Sequence, residues 1–203
     1  MAVHLHQFDL PDDVSFADQV AVDTETTGLD LNRDRLCVVQ LSAGDGDAHL
    51  VHFPRPEYKA PNLCRLLANE NVTKLFHFAR FDVAMLGQAM NVICRPVYCT
   101  KIASKLVRTY TDRHGLKDLC SELIGVDLSK KQQSSDWAAE TLSEAQQAYA
   151  ANDVLHLHKL REKLDAMLQR EGRDGVAEAC FDFLEVRAAL DLAGWDGEDI
   201  FAH

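Results

Sequence analysis

The chain has 203 residues, 47% of them hydrophobic and 26% charged, with a formal net charge of −11. That length fits one α/β domain with room for a small helical extension, and the acidic balance argues against a sequence-independent grip on long nucleic acid. No apolar run is long enough to span a bilayer, and the opening "MAVHLHQFDLPDD" lacks a secretory signal, so the cytoplasm is the expected compartment.

Three extended segments come first: "QVAVD" (19–23), "LCVVQLS" (36–42) and the alternating "AHLVHF" (48–53). "GDGD" (44–47) joins the second to the third as a tight turn, which makes an antiparallel meander. Past Pro54 and Pro56 the pattern becomes a helix over 62–70, a strand over 73–78, a helix over 79–90 and a short strand over 96–99. From Thr100 onward only helical periodicity remains, over 100–109, 116–124, 142–169 and 175–191, with Thr141 and Glu144 as a capping box for the long helix. No repeat or low-complexity linker appears. The expectation is one domain over 1–203, an α/β fold whose mixed central sheet is surrounded by helices, with a short tail over about 192–203.

The six cysteines form no C-x-x-C pair and sit mostly among apolar neighbours, which points to reduced core thiols. The charge is uneven. Between Lys101 and Lys131 there are seven Lys or Arg against four Asp or Glu, a basic stretch suited to a short anionic ligand, though an ordinary solvated helix face would look the same.

Residues 20–30, "VAVDTETTGLD", put Asp23 and Glu25 on one face of a strand that otherwise looks buried. "FHFARFD" puts Asp82 in the first turns of a helix, and "YAANDV" puts Tyr149 and Asp153 four apart on one helix face. Singly, each has an ordinary explanation: an exposed strand edge, a favourable charge at a helix N-terminus, a wet helix surface. Four converging carboxylates, however, would repel one another unless cations neutralised them. An oxygen-only donor set suits Mg²⁺ or Mn²⁺, and two such ions about 4 Å apart stabilise the entering and leaving oxygens of a phosphoryl displacement.

These three stretches resemble the exonuclease motifs of the DEDD superfamily, in the DEDDy branch whose third motif is Y-x-x-x-D. "SSDWAAETLS" (134–143) resembles the segment ahead of that motif in ribonuclease D, although the arginine usual after S-D-W is absent. "RDRLCVVQLS", "CTKIASKLVRTYTDRHGLK", "KQQSSDWAAETLS" and "GWDGEDIFAH" are similar to the nano-RNase C (NrnC) family of short ribonuclease D-like enzymes, known for degrading very short RNA. The resemblance implies a ribonuclease H-like fold and a metal-dependent 3′-5′ exoribonuclease that converts dinucleotides, notably 5′-phosphorylated ones, to nucleoside 5′-monophosphates. It further implies a homo-octamer. The chain leaves no room for the helical HRDC domains of full-length ribonuclease D, which weakens the expectation of a structured-RNA substrate.

By the same resemblance Asp23 would bridge two metal ions, Glu25 and Asp153 would hold the ion that carries the attacking water, and Asp82 would support the second. Tyr149 would aim the water, since an ordinary tyrosine pKa of about 10 makes it a better orienter than base. Thr26 and Leu29 would hold the 3′-terminal nucleotide, Leu29 as a wedge between the last two bases unless it is an ordinary core leucine. His77 and Phe81 would touch sugar or base, unless they are simple packing. Lys101, Lys105, Arg108, Arg113 and His114 are candidates for capping a 5′ phosphate. The tail would either fold back on its own domain or dock on a neighbouring copy. Two rivals stand beside this: an exonuclease acting on longer RNA or on DNA, and an inactive nucleic-acid-binding scaffold, which would be expected to lack motif carboxylates.

Overall fold

"LCVVQLS" forms strand β3 (Leu36–Ser42), and all seven of its residues are buried, which places it at the heart of the sheet. The computed structural model describes residues 2–129, 132 and 134–203; Lys130 and Lys131 of the basic stretch and Gln133 of "KQQSSDWAAETLS" lie outside the described residues. Around β3 run β2 (Gln19–Thr26) and β4 (Ala48–His52), both antiparallel to it, β4 through the tight turn of "GDGD". Beyond β2 lie β5 (Thr73–Phe76) and β6 (Val97–Cys99), each parallel to its neighbour.

The far edge was not legible. A further strand, β1 (Val3–Gln7), pairs parallel with β4 and completes a six-stranded order β1–β4–β3–β2–β5–β6. Its sequence, "VHLHQ", carries two histidines and little β-branched character, because an edge strand is paired on one side only and need not be apolar.

Helix α1 (Pro61–Leu67) leads into β5, α2 (Ala79–Met90) follows it, and α3 (Thr100–Val107) and α4 (Leu116–Ile124) follow β6. The expected long helix over 142–169 is two helices, α5 (Glu144–Val154) and α6 (Leu157–Glu171). No Gly or Pro marks the break. Val154, Leu157, Leu160 and Leu164 keep an uninterrupted three- and four-residue spacing, so the pattern reads as continuous while the chain turns between two packing partners. α5 lies across β1, β4, β3 and β2, whereas α6 packs on α3, α4 and β5. The helix expected over 175–191 divides likewise, into α7 (Asp174–Asp182) and α8 (Leu184–Leu190). A wide helical turn over Asp191–Trp195 then starts the tail, whose carbonyls at Trp195 and Asp196 accept from Arg187 and Arg80; Phe201 packs on Phe183, 6.0 Å between ring centres. Among the described residues no helix is long and apolar enough to cross a membrane.

The cap of α5 also differs from the Thr141/Glu144 expectation. Ser143 is the cap: its Oγ accepts from the Gln146 backbone at 3.3 Å, and Gln146 Oε1 accepts from the Ser143 backbone at 3.0 Å. S-x-x-Q and T-x-x-E overlap here, and the second hydrogen bond decides between them, since Gln146 Nε2 also reaches the Asp136 carbonyl at 3.0 Å and ties the helix start to the preceding segment. Because α5 carries Tyr149 and Asp153, this cap sets where they stand. Ser143→Ala should therefore cost about 1 kcal/mol in urea denaturation.

Candidate active site

Strand alternation puts Asp23 and Glu25 on one face at the C-terminal end of β2, and α5 crosses that face. Asp153, one turn beyond Tyr149, comes down from α5 to meet them. One ligand oxygen from each of Asp23, Glu25 and Asp153 lies within 4.8 Å of the other two. Asp82 lies outside that triad but borders the same cleft. It enters from the first turn of α2, where it accepts from Thr24 Oγ1 at 2.6 Å; Thr24 is the residue whose side chain leaves β2 on the other face. The cleft measures about 720 Å³.

The electrostatics follow from this crowding. Burial, then the charges of Asp82, Asp153 and Glu25, hold the Asp23 carboxyl well above the usual carboxylate range. Burial, then Asp153 and Asp82, pushes Glu25 up to about 9. Burial pushes Asp82 and Asp153 each up to about 7. Tyr149 is raised above its ordinary value by burial and then by Asp153, Glu25 and Asp23, so its hydroxyl keeps its proton across the neutral range. Partly buried carboxylates with only oxygen donors are the chemistry a hard divalent cation fits.

His77 is held in one protonation state by its neighbours. The Thr100 hydroxyl lies 3.1 Å from the Phe76 carbonyl, which can only accept; Thr100 Oγ1 is then left to accept from His77 Nδ1 at 2.8 Å. Burial, then Lys101, takes the ring down to about 3, so it is neutral. Its Nε2, buried and without a partner, is an acceptor on a side chain that lines the cleft.

Leu29 is 82% exposed at the mouth of the cleft and is no core leucine. Its loop is tight: Thr26 Oγ1 donates to the Gly28 carbonyl at 2.5 Å, and a Cβ on Gly28 would meet the Asp34 carboxylate and push it aside. Phe81 lines the cleft as well.

The five residues expected to hold a 5′ phosphate do not stay together. Lys101 alone of them borders this cleft, with its ammonium 4.1 Å above the Phe78 ring. Lys105 faces a neighbouring apolar cleft of about 780 Å³. Arg108 is fully buried, donating to Ser104, the Arg113 carbonyl and Glu122, which corrects its assignment as a phosphate ligand. Arg113 is held by Asp118 and His114 by Ser104, and neither borders the cleft.

Sequence reasoning missed three residues. Lys117, from the first turn of α4, is a second cation on the cleft. Phe78 ends β5 two residues early because it adopts φ 71°, a left-handed backbone that a bulky side chain adopts only when its surroundings impose it. Nothing in "FHFARFD" announces that strain. Trp137 is 2% exposed and packs on Tyr149, 6.1 Å between ring centres, behind the carboxylates with Val38, Leu50 and Ala150. The S-D-W segment was the signal available for it.

Known proteins resemble this chain in sequence pattern and in fold. The sequence pattern of the 3′-5′ exonuclease family matches residues 9–169. Ribonuclease D of Acidiphilium cryptum is 39% identical over 160 residues, which are 78% of this chain and 40% of that protein; the chain thus spans well under half the length of this relative. The structure of Brucella melitensis NrnC with bound Mg²⁺ superposes with a TM-score of 0.95 at 56% identity, covering 100% of both chains. The same nuclease bound to pGG gives 0.96 at 57% identity, over 100% of this chain and 99% of that one. With both the sequence pattern and the whole-chain fold in common, the protein belongs to the 3′-5′ exonuclease family, in its ribonuclease D-like, NrnC branch.

Proposed function

We propose that the protein is a metal-dependent 3′-5′ exoribonuclease of DEDDy type that hydrolyses very short RNA, dinucleotides above all, to nucleoside 5′-monophosphates. The observation that carries this is the meeting of Asp23, Glu25 and Asp153 within 4.8 Å, with Asp82 beside them and Tyr149 one turn from Asp153. The pGG held by the Brucella melitensis relative supports the choice of a 5′-phosphorylated dinucleotide.

Asp23, Glu25 and Asp153, with Asp82 in support, would hold two divalent ions, Mg²⁺ or Mn²⁺. When bound, such ions supply Lewis acidity and a nucleophilic water near neutral pH. Tyr149, protonated, donates a hydrogen bond and orients that water towards the terminal phosphodiester. Leu29 inserts its exposed side chain between the last two bases, and Thr26 holds the loop that carries it. Phe78 and Phe81 offer ring faces for stacking. His77 Nε2 accepts from a sugar hydroxyl or a base N–H. Lys101 and Lys117 are the cations on the cleft that can meet the 5′ phosphate, where a few pre-organised contacts must supply the affinity for so small a ligand. A homo-oligomer belongs to the same proposal, and the exposed Val176, Phe183, Val186 and Phe201 supply apolar surface for one.

Three outcomes are expected. Asp23→Ala and Asp153→Ala should each lower kcat at least 1,000-fold while the far-ultraviolet circular dichroism spectrum is kept; turnover retained in both variants would defeat the assignment.

The second outcome concerns protons. In the metal-free protein the carboxylates bind protons more tightly folded than unfolded, where ordinary values near 4 apply. Between about pH 4 and pH 9 the folded state therefore holds more protons, and the cluster's contribution to stability is lost as pH rises through the folded values. A cation replaces those protons. The rise in melting temperature produced by Mg²⁺ or Mn²⁺ should accordingly be larger at pH 8 than at pH 6, and a rise that shrinks with pH would contradict the carboxylate site.

Third, on a ladder of two to twenty nucleotides the initial rate should be highest for the 5′-phosphorylated dimer and at least tenfold lower for the unphosphorylated one. Accumulating dimers would instead assign the enzyme to longer RNA or DNA.

A further inference from the structure

Gln40 stands in β3 among apolar residues and is fully buried. An amide in that setting is costly unless its hydrogen-bonding groups are met. One of them is not: Oε1 has no partner. The other end has one, since Nε2 donates to Asp23 Oδ2 at 3.4 Å. Gln40 and Asp23 are direct partners in the antiparallel β2–β3 register, so the backbone ladder keeps both side chains on one face. Once Asp23 is ionised to hold a cation it can only accept, and the nitrogen end of the amide is then the end that must face it.

The carboxylate of an aspartate turns broadly about its last torsion, so strand position alone does not aim its oxygens. Among the described residues Gln40 is the one side chain that donates to Asp23. Packing does not explain an amide here, because a methionine of similar volume would fill the same space without a stranded Oε1. We propose that Gln40 is a positioning residue for the metal centre: its amide fixes the Asp23 carboxylate so that one oxygen faces the Glu25 and Asp153 oxygens and the other is held by β3. This inference rests on the proposed metal site and adds to it a specific determinant of metal affinity. Partners that orient ligands in this way typically account for 10- to 100-fold in metal affinity.

The test is a Mn²⁺ titration of the whole chain followed by melting temperature and by calorimetry, with wild type, Q40M, Q40L and D23N. Without metal, Q40M and Q40L should fold and melt at or near the wild-type temperature. Their Mn²⁺ half-saturation should rise 10- to 100-fold, and Q40M added to D23N should cause no further loss. An unchanged half-saturation in a folded Q40M or Q40L, beside a normal wild-type response, would overturn the role of Gln40 alone. Failure of both variants to fold would make Gln40 a core residue and overturn it too. A wild type that Mn²⁺ neither stabilises nor binds would overturn the metal site itself, and the positioning role with it.

Discussion

Mutual repulsion among carboxylates withdrawn from water is the constraint around which this structure is arranged. Asp23, Glu25 and Asp153 bring oxygens within 4.8 Å of one another, and every carboxyl in the cluster is displaced upward, first by burial and then, for Asp23 and Glu25, by the other acids. A fold that brings these groups together without a cation stores unfavourable electrostatic energy, and protonation relieves it. The rest of the molecule must be rigid enough to hold them in place.

That rigidity comes from the centre of the sheet. β2 is held by β5 over Gln19–Ala21 and by β3 from Ala21 through Asp23 and Glu25, so the backbone beneath the two acids cannot shift register without disturbing the sheet core. α5 is anchored at one end by the Ser143 cap and along its length by the cluster of Val38, Leu50, Trp137 and Ala150. Asp82 is tied back to β2 by Thr24. The acids are therefore supported from three elements: β2 under Asp23 and Glu25, α2 under Asp82 and α5 under Asp153.

The carboxylates were legible in the sequence because their spacing is local: period two on a strand, period four on a helix. The parts that depend on tertiary packing were not. Val154 and Leu157 continue a helical stripe across a break that only the change of packing partner creates. Two overlapping cap signatures at 141–146 are separated only by the contact of Gln146 with Asp136. Arg108 and Lys101 looked equivalent as cations in one basic helix, seven residues apart; that spacing is two turns, yet one guanidinium is drawn inside by Ser104 and Glu122 while the ammonium stays at the cleft. Gln40 was hidden in an apolar run, where a single polar residue has no periodicity to betray it.

The overall charge bears on how much substrate such a site can hold. A chain with net charge −11 repels a polyanion, and each added nucleotide brings another phosphate under that field. Among the described residues Lys101 and Lys117 are the lysines that line the cleft beside the carboxylates. On the proposed function, a dinucleotide places both its phosphates within this small favourable zone, one at the metal centre and one at the lysines. Among the described residues no further lysine or arginine lines that cleft, so the extra phosphates of a longer strand would gain no counterpart there. On the proposed function, a preference for the shortest substrate would follow from where the positive lining of the cleft ends, with no need for a wall there.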